Sequence, residues 1–333
     1  MFKKVLLLVL TVLILSGCSG LGRAKQYSVT YLNLFDTVIT VTGRADSKAE
    51  FDAKASVIYD ALEQYHQLFD VYHDYQGINN LKTINDNAGI APVAVDERIV
   101  SLLQDCLRYY DVTDGAVNAA MGSVLRLWHE ARQAQIPALP DATALESAAK
   151  HCSWDTVVID PEAGTVYLTD PEQLLDVGAI AKGWAAQKAA ELAPSGYLLS
   201  LGGNVVATGP KTESGTPWVI GITNPNGGDY LHTLQLSTGA AVTSGDYQRY
   251  YQVDGVMYHH IIDPQSLYPA TRWRSVTVIC ADSAMADALS TALFVMDRES
   301  GQALLEKCGA EAMWMDGAGN RYYSVGFSTY IQA

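Results

Sequence analysis

The sequence predicts an α+β fold of mixed or antiparallel sheets with packed helices. Strand-like and helix-like segments come in blocks rather than in strict alternation, which disfavours the parallel sheet that strand–helix–strand units build. The second half is dominated by short β-branched runs joined by turn residues. The clearest is Asp254-Gly255, set between YQRYYQV and VMYHHI, a strong hairpin signal. With 333 residues, 49% of them hydrophobic and 17% charged, the chain has ample material for a core.

The elements are justified in order. MFKK is a basic start, and Val5 to Leu15 is apolar throughout except for Thr11, too short a run to span a bilayer. It ends in Leu15-Ser16-Gly17-Cys18, where a plain signal peptide ends in small residues without the cysteine. LSGC resembles the lipobox of bacterial lipoproteins, which implies lipidation at Cys18. Residues 1–17 then read as a leader, 18–27 as a tether and 28–333 as one domain, anchored on the extracytoplasmic face of the bacterial cell membrane. Two acyl chains suffice for firm anchoring.

From Tyr27, YSVTYLNLFDTVITVTG alternates like paired strands,. Residues 47–69 carry Phe51, Ala55, Ile58, Leu62 and Tyr65 at helical spacing,. DYQGINNLKTINDNAG reads as loop. Further helices are expected over 96–110 and 120–133, and two short strands near 155–169. LLDVGAIAKGWAAQKAAELA reads as strand, turn and helix, and YLLSLGGNVVATG as strand, glycine turn and strand. WVIGITNP, HTLQLSTGAAVTSG and SVTVICAD are strand-like. Ser283 is expected to cap the helix MADALSTALFVM, and two short strands flank Asn320.

A formal charge of 22 − 36 = −14, with no Lys/Arg stripe, excludes the electrostatic footprint of a nucleic-acid binder. Beyond Cys18 the cysteines are Cys106, Cys152, Cys280 and Cys308. They show no zinc-like spacing, and buried free thiols are preferred over any of three disulfide pairings. The P-loop, the G-x-G-x-x-G dinucleotide turn, H-E-x-x-H and G-x-S-x-G are all missing,.

Three segments carry chemistry. In DVGAIAKG, Asp176 and Lys182 bracket a bare run. It is either a tight packing joint with Asp176 as a cap, or an anion-binding helix start at Gly178-Ala179 reinforced by Lys182. In ADALST, Asp287 and Thr291 stand four apart on one helix face. That face is either solvated or offers a carboxylate and a hydroxyl to a hard cation such as Mg2+. In YHHIIDP, neighbouring strand residues point to opposite faces, so only one of His259 and His260 shares a face with Met257 or Ile261,; a histidine packed on the strand and hydrogen-bonded to backbone is the commoner fate.

Together these segments resemble the ApbE family, the FAD:protein FMN transferases. The likeness runs from about Leu34 to Met296. It is carried by FDT at 35–37, TDGAVNAAMGSVLRLW at 113–128, DVGAIAKGWAAQ at 176–187, LLSLGGNVVATG at 198–209, AAVTSGDYQRYY at 240–251, HHIIDP at 259–264 and ADALSTALFVM at 286–296. The resemblance implies a T-fold-like architecture and Mg2+-dependent transfer of FMN from FAD to a Ser/Thr hydroxyl of an acceptor flavoprotein, with release of AMP. It implies cofactor-binding roles for Phe35, Ala116, Val117, Asn118, Asp176, Lys182, Gly202, Gly203 and Ile261. It places the metal on Asp287, Thr291 and the Ala179 carbonyl, and catalysis on His260 and Lys182. The acceptor it implies is exported or membrane-tethered. An FAD pyrophosphatase and a non-catalytic flavin-binding lipoprotein are the alternatives. Departures from the family pattern are Phe35-Asp36-Thr37 for M-G-T, Asn118 for Asp, Asn204 for the Asp of GGD, and Ser266-Leu267 where many members have Thr-Gly.

Overall fold

The computed structural model describes residues 24–332. The expected leader, Cys18 and most of the tether lie outside the described residues. The first strand, Lys25–Leu34, starts two residues ahead of the Tyr27 at which alternation becomes visible.

An eight-stranded sheet forms the frame, and every neighbouring pair in it is antiparallel. Its spatial order is also its chain order: Lys25–Leu34, Thr37–Ala45, Leu198–Leu201, Asn204–Ala207, Gly239–Gly245, Ser275–Cys280, Glu311–Met315 and Arg321–Tyr323. The expected α+β class with antiparallel sheets is what the chain adopts.

One face of the sheet meets the helices. In the helix Lys48–Phe69, Ser47 accepts the Glu50 N–H at 3.2 Å, satisfying an end donor. Phe51, Ala55, Ile58 and Leu62 are fully buried beneath it, as their spacing predicts. The helices Ala181–Glu191 and Ser283–Val295 lie deeper, contributing Ala185, Ala186, Ala288, Leu289 and Ala292 to the same core. The opposite face of the sheet is covered by the hairpin Trp218–Ile222/His232–Leu236 and by Phe327. A third cluster gathers Trp128 with Tyr251, Tyr258 and Tyr268. It seats the hairpin Tyr250–Val253/Val256–His259, which turns at Asp254-Gly255 as expected.

Several local expectations are corrected. DYQGINNLKTINDNAG contains a helix, Leu81–Asp86, started by a reciprocal Asn80–Thr83 capping box. Six residues carry too few apolar repeats to reveal a period. The LLDV segment is not a strand. Its backbone groups are satisfied singly, by Ser123 Oγ, Asn85, Ala119 O and Gly122 N, so no ladder forms. The cap of Ser283–Val295 is Asp282, which accepts the Met285 N–H at 2.8 Å, and Ser283 is the first helical residue. Helices Ala142–Ala148 and Arg298–Cys308 were not anticipated. All four cysteines described are free thiols, but only Cys106 is fully buried.

Candidate active site

Between the sheet, the two inner helices and the Trp128 cluster lies a cleft of about 990 Å³. Its wall brings together Phe35, Ala116, Val117, Asn118, Asp176, Ala179, Lys182, Gly202, His260, Ile261, Asp287 and Thr291, from six separate parts of the chain. Gly203 is not on that wall. At φ +104° it completes the turn with Gly202, against the Thr243 carbonyl. Gly202 itself, at φ +56°, has Thr37 where a side chain would stand; any larger residue is excluded on both counts.

Asp176 does not cap the following helix. Its Oδ1 accepts the Gly178 N–H at 2.8 Å, closing a tight turn, and the helix begins five residues later at Ala181. Burial holds its carboxyl above the usual range, while Gly178 N–H, His129, Arg249 and Arg132 pull the other way. That basic cluster escaped the sequence reading because its members come from distant segments. The Tyr72 and His129 rings stack at 4.5 Å, and Arg132 Nη2 donates to His129 Nδ1 at 3.1 Å. The other His129 nitrogen therefore carries the proton. Burial pushes the Tyr72 hydroxyl up to about 12, with Asp176 adding to the rise.

The helix Ala181–Glu191 has no side-chain cap of its own, because Ile180 occupies the cap position. Asp287, from the neighbouring helix, supplies one. Its Oδ2 accepts the Gly183 N–H at 2.7 Å and Asn204 Nδ2 at 2.9 Å. The approach requires Gly183, since a Cβ there would run into the Asp287 Cβ and the Ser283 carbonyl. Burial raises the Asp287 carboxyl above its usual range, and Lys182, Gly183 N–H and Asn204 counter it. Both hydrogen bonds fall on Oδ2, so Oδ1 is left for the cleft. The Ala179 carbonyl accepts no backbone hydrogen bond among the described residues, and Thr291 is one helical turn beyond Asp287 on the same wall. These are hard oxygen donors, few in number, and they fit a Mg2+ ion that takes its remaining ligands from phosphate and water.

The two histidines part as strand geometry requires. His259 is buried; its Nδ1 accepts the Ile261 N–H and its Nε2 donates to the Ala270 carbonyl at 2.7 Å. His260 faces the cleft, with Nδ1 at 3.3 Å from the Arg249 carbonyl. A carbonyl only accepts, so Nδ1 bears the proton and Nε2 keeps its lone pair. Desolvation, then Lys182 and Arg249, hold this imidazole down to about 3.

Asn118, on the cleft wall, is held by two side-chain hydrogen bonds. Its Oδ1 accepts the Ala120 N–H and its Nδ2 donates to the Cys152 carbonyl at 3.0 Å, a donation that an Asp could not make. Phe35 and Asp36 form the first hairpin's turn at φ +53° and +51°, with the Phe35 ring edge-on to His66 at 5.4 Å.

The antiparallel frame thus carries one cleft in which oxygen donors, a basic cluster and an imidazole meet. The ApbE family model matches residues 35–314. A FAD:protein FMN transferase of Treponema pallidum is 34% identical, over 90% of this chain and 87% of its own. One from Klebsiella pneumoniae is 32% identical, over 77% and 79%. The crystal structure of the ApbE protein from Thermotoga maritima superposes with a TM-score of 0.84 at 31% identity, over 93% of this chain and 100% of that one. The chain belongs to the ApbE family and is a transferase.

Proposed function

We propose that this chain transfers FMN from FAD to a Ser or Thr hydroxyl of an exported or membrane-tethered acceptor protein, releasing AMP. One observation carries the reading. A single cleft joins a carboxylate with a free oxygen, Asp287, to a lysine, Lys182, and to an imidazole whose Nε2 is unprotonated, His260. Asp176, Lys182, Phe35, Gly202, Ile261 and the Ala116–Val117 backbone hold the dinucleotide. The acceptor hydroxyl attacks the phosphorus on the FMN side, the anhydride P–O bond breaks, and AMP leaves. His260 Nε2 takes the hydroxyl proton. Lys182 faces the developing charge, and Asp287, Thr291 and the Ala179 carbonyl would hold Mg2+, which would supply further neutralisation of the diphosphate.

The test uses the chain lacking residues 1–18, incubated with FAD and Mg2+, with and without a threonine-bearing acceptor domain. AMP together with an FMN-sized mass gain on the acceptor establishes the transferase. AMP and free FMN with an unlabelled acceptor point to a pyrophosphatase, and intact bound FAD to a flavin-binding protein.

We further propose lipid anchoring at Cys18, on the extracytoplasmic face of the membrane. The LSGC motif supports it. No helix among the described residues is long and apolar enough to cross a membrane. Cys18→Ala in the full chain should lose metabolic fatty-acid labelling; retained label would end the proposal.

A further inference from the structure

We propose that Asn204 is a positioning residue for the cation site, fixing Asp287 so that one oxygen alone faces the cleft. The inference rests on the reading of Asp287 as a cation ligand.

An aspartate carboxylate turns easily about its last torsion, whose energy profile is broad and nearly two-fold. Asp287 has no such freedom. Asp287 is 4% exposed and Asn204 is 1% exposed, so the hydrogen bond between them is shielded from water. Oδ2 receives two donors from two different elements. One is the Gly183 N–H, at the start of the helix Ala181–Glu191; the other is Asn204 Nδ2, at the start of the strand Asn204–Ala207. A carboxylate oxygen that accepts two hydrogen bonds has spent its lone pairs, and Oδ1 is what remains for the cleft.

The amide is the side chain this position needs. Nδ2 donates to Asp287 at 2.9 Å, whereas an ionised Asp would set acceptor against acceptor and charge against charge. Asn204 is fixed in turn by the backbone. It closes the Gly202-Gly203 turn opposite Leu201 and stands across from Val242 on the next strand. The register of the main sheet thus sets the direction of a carboxylate on a helix. Partners of this kind change metal affinity by roughly 10–100-fold when removed.

The test is Mn2+ binding, followed by electron paramagnetic resonance, on the chain lacking residues 1–18. Asn204→Leu keeps the branching, adds some bulk and removes the donor, and Asn204→Ala is measured beside it in case that bulk is not accommodated. FAD binding in EDTA, read by flavin fluorescence, reports the rest of the cleft. The expected result is Mn2+ affinity lowered roughly tenfold or more with metal-free FAD affinity unchanged. Unchanged Mn2+ affinity in both variants, with binding lost in Asp287→Asn, overturns the role of Asn204 and leaves Asp287 as the ligand. Mn2+ binding that survives Asp287→Asn removes the ligand assignment and the proposal with it. Equal losses of Mn2+ and metal-free FAD binding show a loosened fold and also overturn it.

Discussion

The Gly183 N–H donates to the Asp287 carboxylate at 2.7 Å, so a side chain on one helix caps the beginning of another. The pair lies 104 residues apart in sequence and welds the helix Ala181–Glu191 to the helix Ser283–Val295. It also gives a buried carboxylate the positive end of a helix dipole to face.

Gly183→Ala should therefore destabilise the fold by about 1–3 kcal/mol, the usual cost of overpacking, because the added methyl meets the Asp287 Cβ and the Ser283 carbonyl. Urea unfolding measures this. A variant within 0.5 kcal/mol of the parent, about the scatter of neutral substitutions, would show that the helices separate freely.

Asp287→Asn should trade function for stability. The amide oxygen can accept the two hydrogen bonds while the desolvated charge, which burial penalises, is gone,. The variant should melt above the parent in EDTA and show no Mg2+-dependent AMP release. A lower melting temperature would mean that the helix end and Lys182 overcompensate the burial.

Arg249→Met should weaken FAD binding by about 1.5–3 kcal/mol, the range for a charged hydrogen-bond donor. The guanidinium lines the cleft, acts on Asp176 and reaches the Phe35 carbonyl at 3.5 Å. Fluorescence titration decides, and an unchanged dissociation constant would place Arg249 outside the ligand's reach.

Acid should act on this protein through its buried histidines, against the opposite pull of the raised Asp176 and Asp287 carboxyls,. His260 stays neutral in the fold down to about 3 but titrates near 6.5 when unfolded,. Between those values the unfolded chain binds the extra proton, so the imidazole's contribution to stability falls as pH drops from about 6.5 toward 3. His129 and His259, both lowered by burial, act in the same direction. His260→Gln should flatten the slope between pH 6.5 and 5 in urea midpoints. A slope equal to the parent's would put the imidazole in water.

What the sequence disclosed follows from how local each feature is. The helix carrying Phe51 and Leu62, the Asp254-Gly255 hairpin and the opposite facing of His259 and His260 are written in short-range patterns, and the structure has them. The Asp287–Thr291 pair was visible as an i,i+4 spacing. Its partners were not, because Asn204 and Gly183 reach Asp287 only through tertiary packing. The basic cluster of His129, Arg132 and Arg249 around Asp176 has no spacing signature at all. LLDV misled because apolar periodicity reports burial, whereas a strand also needs a neighbour in register.

The sheet's agreement between spatial and chain order bears on how the molecule is made. Its N-terminal hairpin, Lys25–Leu34 with Thr37–Ala45, can pair as soon as it is synthesised, but its next neighbour is Leu198–Leu201. The seam between Ile39 and Leu201 waits for everything from Asp46 to Tyr197. Past that point each new strand finds its mate already in place, and the frame zips in one direction to Arg321–Tyr323. Chain closure over so long an excursion costs only logarithmically more than over a short one. The delay falls on timing, and it leaves the first hairpin's inner edge uncovered until the middle of the chain has arrived.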